Sequence, residues 1–246
     1  MEWSKVSRSP RLFKCSSLPA NEHFTFLDSW LTSVMKEYVS QDLRLFNIEG
    51  RYPWWSPTFS DSERQLTSVL YPALRQYSEY IFLEMPFEKR NGKRRYLDFW
   101  VHSNRATWGI ELKDAWQNIG RLKRRVKKPK GGIIRSWTEV VDQALDPRRF
   151  DLRIHSEPIF KIAILAVRLY ENVKGNQGSC TANAKDLMGF SMKFMSLETN
   201  DKEKHHYRPN WGALWLATKE MQKETKDTEE SQVYPAAIFL CRAFPA

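Results

Sequence analysis

The run Ile159–Tyr170 (IFKIAILAVRLY) constrains this chain more than any other segment. It is almost continuously apolar, yet it falls well short of the roughly 20 residues that a membrane-spanning helix needs. A strand with one wet face alternates; this one barely does, so it reads as a strand buried on both faces. A sheet containing such a strand must be covered on both sides, and helices are the usual cover.

The preceding elements fit that scheme. Ser60-Asp61-Ser62 supplies polar capping residues ahead of the stripe Leu66, Val69, Leu70, Ala73, Leu74 and Tyr77, which predicts a helix with a kink or broken turn at Pro72. Glu63 falls on its inward face. Three strands are then expected at Tyr80–Phe87, Arg95–His102 and Ala106–Lys113, the first two joined by a tight Asn91-Gly92 turn and the last two by Ser103-Asn104-Arg105. Arg135–Leu145 predicts a second helix, with Trp137, Val140, Val141, Ala144 and Leu145 facing the core. Helix, three strands, helix, buried strand is the order of an α/β core with a mixed central sheet flanked by helices.

Residues 1–59 read as an N-terminal helical and irregular preface, with a helix over Glu22–Val39 (Phe26, Trp30, Leu31, Val34, Met35) and a Pro- and Trp-rich stretch at Arg51–Pro57 that covers the core or stacks on bases. Residues 60–246 form the main domain. After the buried strand, a helix over Lys185–Leu197 and strands over Trp211–Ala217 and Val233–Phe244 are expected to extend the sheet.

Alternation makes the central prediction. On the second strand Tyr96, Asp98 and Trp100 share a face, and on the third Gly109, Glu111 and Lys113 do. Asp98, Glu111 and Lys113 then converge, because neighbouring strands lie under about 5 Å apart. Two carboxylates side by side repel, and a divalent cation relieves that; hard oxygen donors favour Mg²⁺ or Mn²⁺ over zinc. A lysine two residues beyond Glu111 can hydrogen-bond a nucleophilic water or a phosphate oxygen. This donor set suits phosphodiester hydrolysis, in which the metal polarises the phosphoryl group and acidifies bound water. The plainer reading, an exposed Glu111–Lys113 ion pair worth less than about 1 kcal/mol, stays open. Asp114 should point to the opposite face as a strand-end or loop residue.

Leu97-Asp98, twelve intervening residues and Glu111-Leu112-Lys113 resemble the PD-(D/E)XK nuclease superfamily. The order of elements over residues 61–170 is also similar to that family's restriction-endonuclease-like core. Leu97 stands where the motif has Pro. The resemblance implies a Mg²⁺-dependent nuclease, with Mn²⁺ able to substitute, acting on DNA in restriction, transposition or anti-phage defence. It makes Asp98, Glu111 and Lys113 catalytic and Asp98 and Glu111 metal ligands, with Glu63 of the first core helix as a further ligand. Gln143 matches a catalytic Gln found on the second core helix in some branches, although no Tyr follows it at the usual interval; an ordinary exposed residue is the other reading. Glu139, one turn earlier, can look toward the same site. A homodimer or a larger nuclease complex is compatible with the family.

Charge agrees with a nucleic-acid partner. The chain carries a formal net charge of +10, which attracts polyanions through counterion release. Seven basic residues, Arg121, Lys123, Arg124, Arg125, Lys127, Lys128 and Lys130, fall between the third strand and the next helix, where a loop would border the cleft and grip phosphates. Only three cysteines, widely scattered, exclude a disulfide framework and suit a reducing compartment. The N-terminus has no signal-peptide pattern, so a soluble cytoplasmic protein without membrane partners is expected. Two alternatives remain: a non-catalytic nucleic-acid-binding protein on a decayed nuclease core, and a nuclease subunit active only within a larger complex.

Overall fold

The structure is a computed structural model that describes residues 2–9, 11–49, 63–88, 94–103, 106–120, 131–146, 158–173, 182–197, 207–217 and 231–245. Strands β1 (Ser4–Lys5) and β2 (Leu12–Ser16) precede helices α1 (Glu22–Glu49) and α2 (Glu63–Gln76). Strands β3 (Tyr80–Glu88), β4 (Arg94–Ser103) and β5 (Ala106–Asn118) follow, then helix α3 (Gly131–Leu145) and strand β6 (Ile159–Val173). Helix α4 (Ala184–Ser191), a 3₁₀ turn (Phe194–Ser196) and strands β7 (Trp211–Leu216) and β8 (Ser231–Pro245) complete the order.

The eight strands of the described residues form one mixed sheet in the order β1-β2-β7-β8-β6-β5-β4-β3. β3, β4 and β5 are an antiparallel meander. β5 and β6 run parallel, because α3 carries the chain back across the sheet between them. β8 inserts antiparallel between β6 and β7.

β6 is the buried strand that its composition demands. Ile162, Ile164 and Ala166 enter one core and Ala163, Leu165, Val167 and Leu169 the other. The first core packs Leu27, Trp30, Leu31 and Val34 of α1 and Leu66, Leu70 and Ala73 of α2 against Phe99, Val101, Trp108, Ile110 and Leu112. Trp108 is fully buried, stacked between Trp30 at 6.1 Å and Phe160 at 4.6 Å. The second core packs Trp137, Val140, Val141 and Ala144 of α3 and Leu187 and Phe190 of α4 against the opposite face. Burying each such large side chain stabilises by about 1.5–3 kcal/mol.

Several boundaries differ from expectation. α2 runs through Pro72 as one helix; its expected cap at Ser60–Ser62 lies outside the described residues, as do Arg51–Pro57 and the Asn91-Gly92 turn. α1 reaches Glu49, ten residues beyond Val39. The N-terminal segment adds two strands as well as a helix, with Leu12↔Trp215 and Ser16↔Trp211 fixing β2 on β7. Asn21 caps α1, its side-chain Oδ1 accepting from the Phe24 N–H at 3.0 Å. The helix expected over Lys185–Leu197 ends at Ser191 and tightens into the 3₁₀ turn. No described helix is long and apolar enough to cross a membrane.

Candidate active site

The site lies where β4 and β5 stop pairing. Their antiparallel ladder ends at Phe99↔Ile110. One residue further on, Asp98 turns its carboxylate across the gap, and its Oδ2 accepts the Leu112 backbone N–H at 2.7 Å. The side chain thus takes over the ladder and holds the two strands together at the point where they part.

Strand parity fixes which way the neighbours face. Phe99, Val101, Ile110 and Leu112 belong to the α1/α2 core, so Asp98, Glu111 and Lys113 occupy the other face, the one that α3 covers over β5 and β6. Glu111 sits beside Ala163 and Lys113 beside Leu165 in the parallel ladder, and both partners belong to the α3-side core. The three residues therefore share one sheet face, as their alternation predicts.

Their environments differ. Glu111 is 2% exposed, whereas Asp98 and Lys113 are half-buried. A carboxylate buried that deeply is costly unless hydrogen bonds or a cation compensate it. Small residues surround it: Gly109 precedes it on the same face and Ala163 lies alongside. Lys161, opposite Gly109, shares this face, and burial pulls its amine below the ordinary lysine value while the charge of Asp146 opposes the shift. Nothing in the sequence marked Lys161 for the site, because a lysine opening an apolar strand reads as a solvated end.

On β3, Glu84 falls between Leu83↔Phe99 and Met85↔Leu97 and so lies across from Asp98. Its φ of 49° is a left-handed conformation that costs a non-glycine residue about 1–2 kcal/mol. The sheet thus departs from regular geometry on both sides of Asp98.

The remaining predicted residues distribute unevenly. Gln143 is half-buried beside the apolar stripe of α3, on the same side of the sheet as the three site residues. Glu139, one turn before Gln143, is exposed and pairs with Arg135 at 2.8 Å. Glu63 opens α2, whose apolar stripe packs on the opposite sheet face; its side chain lies outside the described residues. So do all seven basic residues of 121–130, although β5 and α3 bracket that segment.

Asp114 is not a strand-end or loop residue. β5 continues to Asn118, and Asp114 pairs at 2.8 Å with Arg168 of β6. The Arg168 guanidinium is fully buried and stacks 4.5 Å from the Trp116 ring centroid. Asp114, Gln117 and Asn118 disguised the extension as a loop; Asp114's partner Arg168 and the β6 residues that pair with Gln117 and Asn118 are far away in sequence.

Among the described residues, no cluster of three or more His, Cys, Asp or Glu side chains is arranged to hold a metal ion. The donors that are present still suit Mg²⁺. That ion is commonly held by one or two carboxylates while keeping several waters, and Asp98 and Glu111 are two hard oxygen donors on adjacent strands. No protein-family model, curated protein or solved structure matches the chain.

Proposed function

We propose that this protein is a Mg²⁺-dependent nuclease of the PD-(D/E)XK type that hydrolyses phosphodiester bonds in DNA, most simply as an endonuclease. The observation that carries the proposal is the shared placement of Asp98, Glu111 and Lys113 on one sheet face, at the point where β4 leaves β5. The α2-β3-β4-β5-α3-β6 order, with a parallel β5–β6 pair, supports the restriction-endonuclease-like reading of the core.

In this reading Asp98 and Glu111 would hold Mg²⁺, which when bound polarises the phosphoryl group and acidifies its water. Oδ2 of Asp98 is oriented by the Leu112 N–H, which presets the carboxylate and reduces its freedom before any ligand arrives. Burial places Glu111 in a poorly screened environment, where a carboxylate would pull on a cation most strongly. Lys113 stands two residues beyond Glu111 on the same face, so its ammonium can donate to a phosphate oxygen or orient the attacking water. Gln143, on the helix covering that face, would contact the same water or phosphate. Glu63 is carried as a further metal ligand, and the basic segment 121–130 as the phosphate grip.

Incubation with supercoiled plasmid, linear duplex and single-stranded DNA tests the proposal. Mg²⁺ should produce nicked or shortened products, Mn²⁺ should substitute, and chelation should stop the reaction. Intact DNA in every arm, from a protein shown to be folded, would overturn it.

A further inference from the structure

Tyr80, Phe82 and Tyr96 are 61%, 52% and 51% exposed, a concentration of bare aromatic surface that a soluble sheet normally covers. All three lie on the outer strands β3 and β4. The register Tyr80↔His102, Phe82↔Trp100 and Pro86↔Tyr96 sets them on the same sheet face as Asp98, together with the half-buried Trp100 and His102. The rings form a connected surface: Phe82 meets Trp100 edge-on at 5.4 Å, and Trp100 stacks with His102 at 6.4 Å. Tyr96 and Trp100 flank Asp98 directly along β4.

From this arrangement we infer that the β3–β4 face binds a stretch of nucleic acid with unpaired bases, stacking them on Tyr96, Phe82 and Trp100 on either side of Asp98. The inference rests on the nuclease reading of the site and names its substrate class.

Access to a base face carries the preference for unpaired bases. Tyr96 and Trp100 stand four residues, about 13 Å, apart on β4 with Asp98 between them, whereas a duplex keeps each base face covered by its neighbour at a rise of about 3.4 Å. Rings this far apart each need a base pulled out of the regular stack. Stacking on aromatic rings is the general mode by which single strands are held without sequence preference.

Charge selects the occupant. Arg94 and Arg95 open β4 at the end nearest Tyr96, and the sequence just before them adds Lys89, Arg90 and Lys93. A polyanion is drawn to that end. A second copy of this chain would bring another net charge of +10 against it and would have to bury Asp98 and the exposed Glu84 in its interface.

The test is fluorescence polarisation in chelator-containing buffer, with labelled oligodeoxythymidylate and a duplex of equal length as probes. Wild type should prefer the single strand. The Phe82→Ala/Tyr96→Ala double variant should bind it about tenfold more weakly with duplex binding little changed. Tyr96→Phe, which keeps the ring, should bind like wild type, and this separates stacking from a folding defect. Equal single-strand binding by the double variant would overturn the inference. So would parallel loss of both probes, or conversion of a dimer to a monomer in sedimentation, which would mark the face as a contact between copies. If single strands bind as expected while no metal supports cleavage, the stacking surface stands and the nuclease reading fails. If cleavage occurs and the double variant binds and cuts single strands normally, the nuclease reading stands and this inference fails.

Discussion

The Asp98 carboxylate accepts the Leu112 backbone N–H at 2.7 Å, one residue past the last regular pair of the β4–β5 ladder. One side chain therefore closes the fork between two strands and orients an acid at its mouth. Structure and proposed chemistry meet in that single bond, and they can be separated by choice of substitution.

Asp98→Asn keeps an acceptor for Leu112, whereas Asp98→Ala leaves that N–H without it. A hydrogen bond to a charged group contributes about 1.5–3 kcal/mol, so Asp98→Ala should lose stability in that range and Asp98→Asn less. Urea denaturation checks the difference. Both variants should lose cleavage, since neither retains a carboxylate.

The buried Arg168–Asp114 pair predicts a strongly unequal mutant cycle. Asp114→Ala removes a countercharge from a fully buried guanidinium and should cost about 3–5 kcal/mol. Replacing both partners by apolar residues, Asp114→Leu with Arg168→Met, removes the buried charge as well and should recover much of that loss. Thermal or urea unfolding of the single and double variants measures it.

Gly212 on β7 allows the 3₁₀ turn to press onto the sheet. A Cβ there would stand 2.7 Å from the Met195 sulfur and 3.3 Å from the Phe239 carbonyl oxygen. Gly212→Ala should destabilise by about 1–3 kcal/mol, as overpacking does. Trimming the flexible neighbour with Met195→Ala should relieve part of the clash in the double variant, read from the same unfolding curves.

Cys241 is buried in β8, and desolvation pushes its thiol far above the ordinary range, with Arg242 opposing weakly. The folded state thus holds a proton that the unfolded chain releases near pH 8.5. The stability from keeping the thiol neutral is complete below about pH 8.5 and is lost as pH rises above it. Wild type should lose stability relative to Cys241→Ala between neutral and strongly alkaline pH, and its native thiol should resist alkylation until the protein unfolds.

Much of this molecule was legible because periodicity reports burial directly. The apolar Ile159–Tyr170 run implies a sheet covered on both sides, and the alternation around Asp98 and Glu111 puts both carboxylates on one face. What escaped depended on partners distant in the chain. β2 is a strand because β7 offers it an edge. The polar tail of β5 stays in the sheet because β6 pairs with it as far as Asn118↔Tyr170, with Arg168 waiting for Asp114. Pro72 does not break α2, which continues with Ala73 and Leu74 packed in the core.

The most direct test of the central claim is the rate of Mg²⁺-dependent DNA cleavage by Lys113→Ala beside wild type. Lys113 is half-buried and outside the main cores, so its loss should leave the fold intact. If it acts with Asp98 and Glu111, cleavage should fall by about 10²–10³-fold, and adding Asp98→Ala should slow it little further, as expected for groups that act as a unit. Cleavage by Lys113→Ala at the wild-type rate would contradict the account.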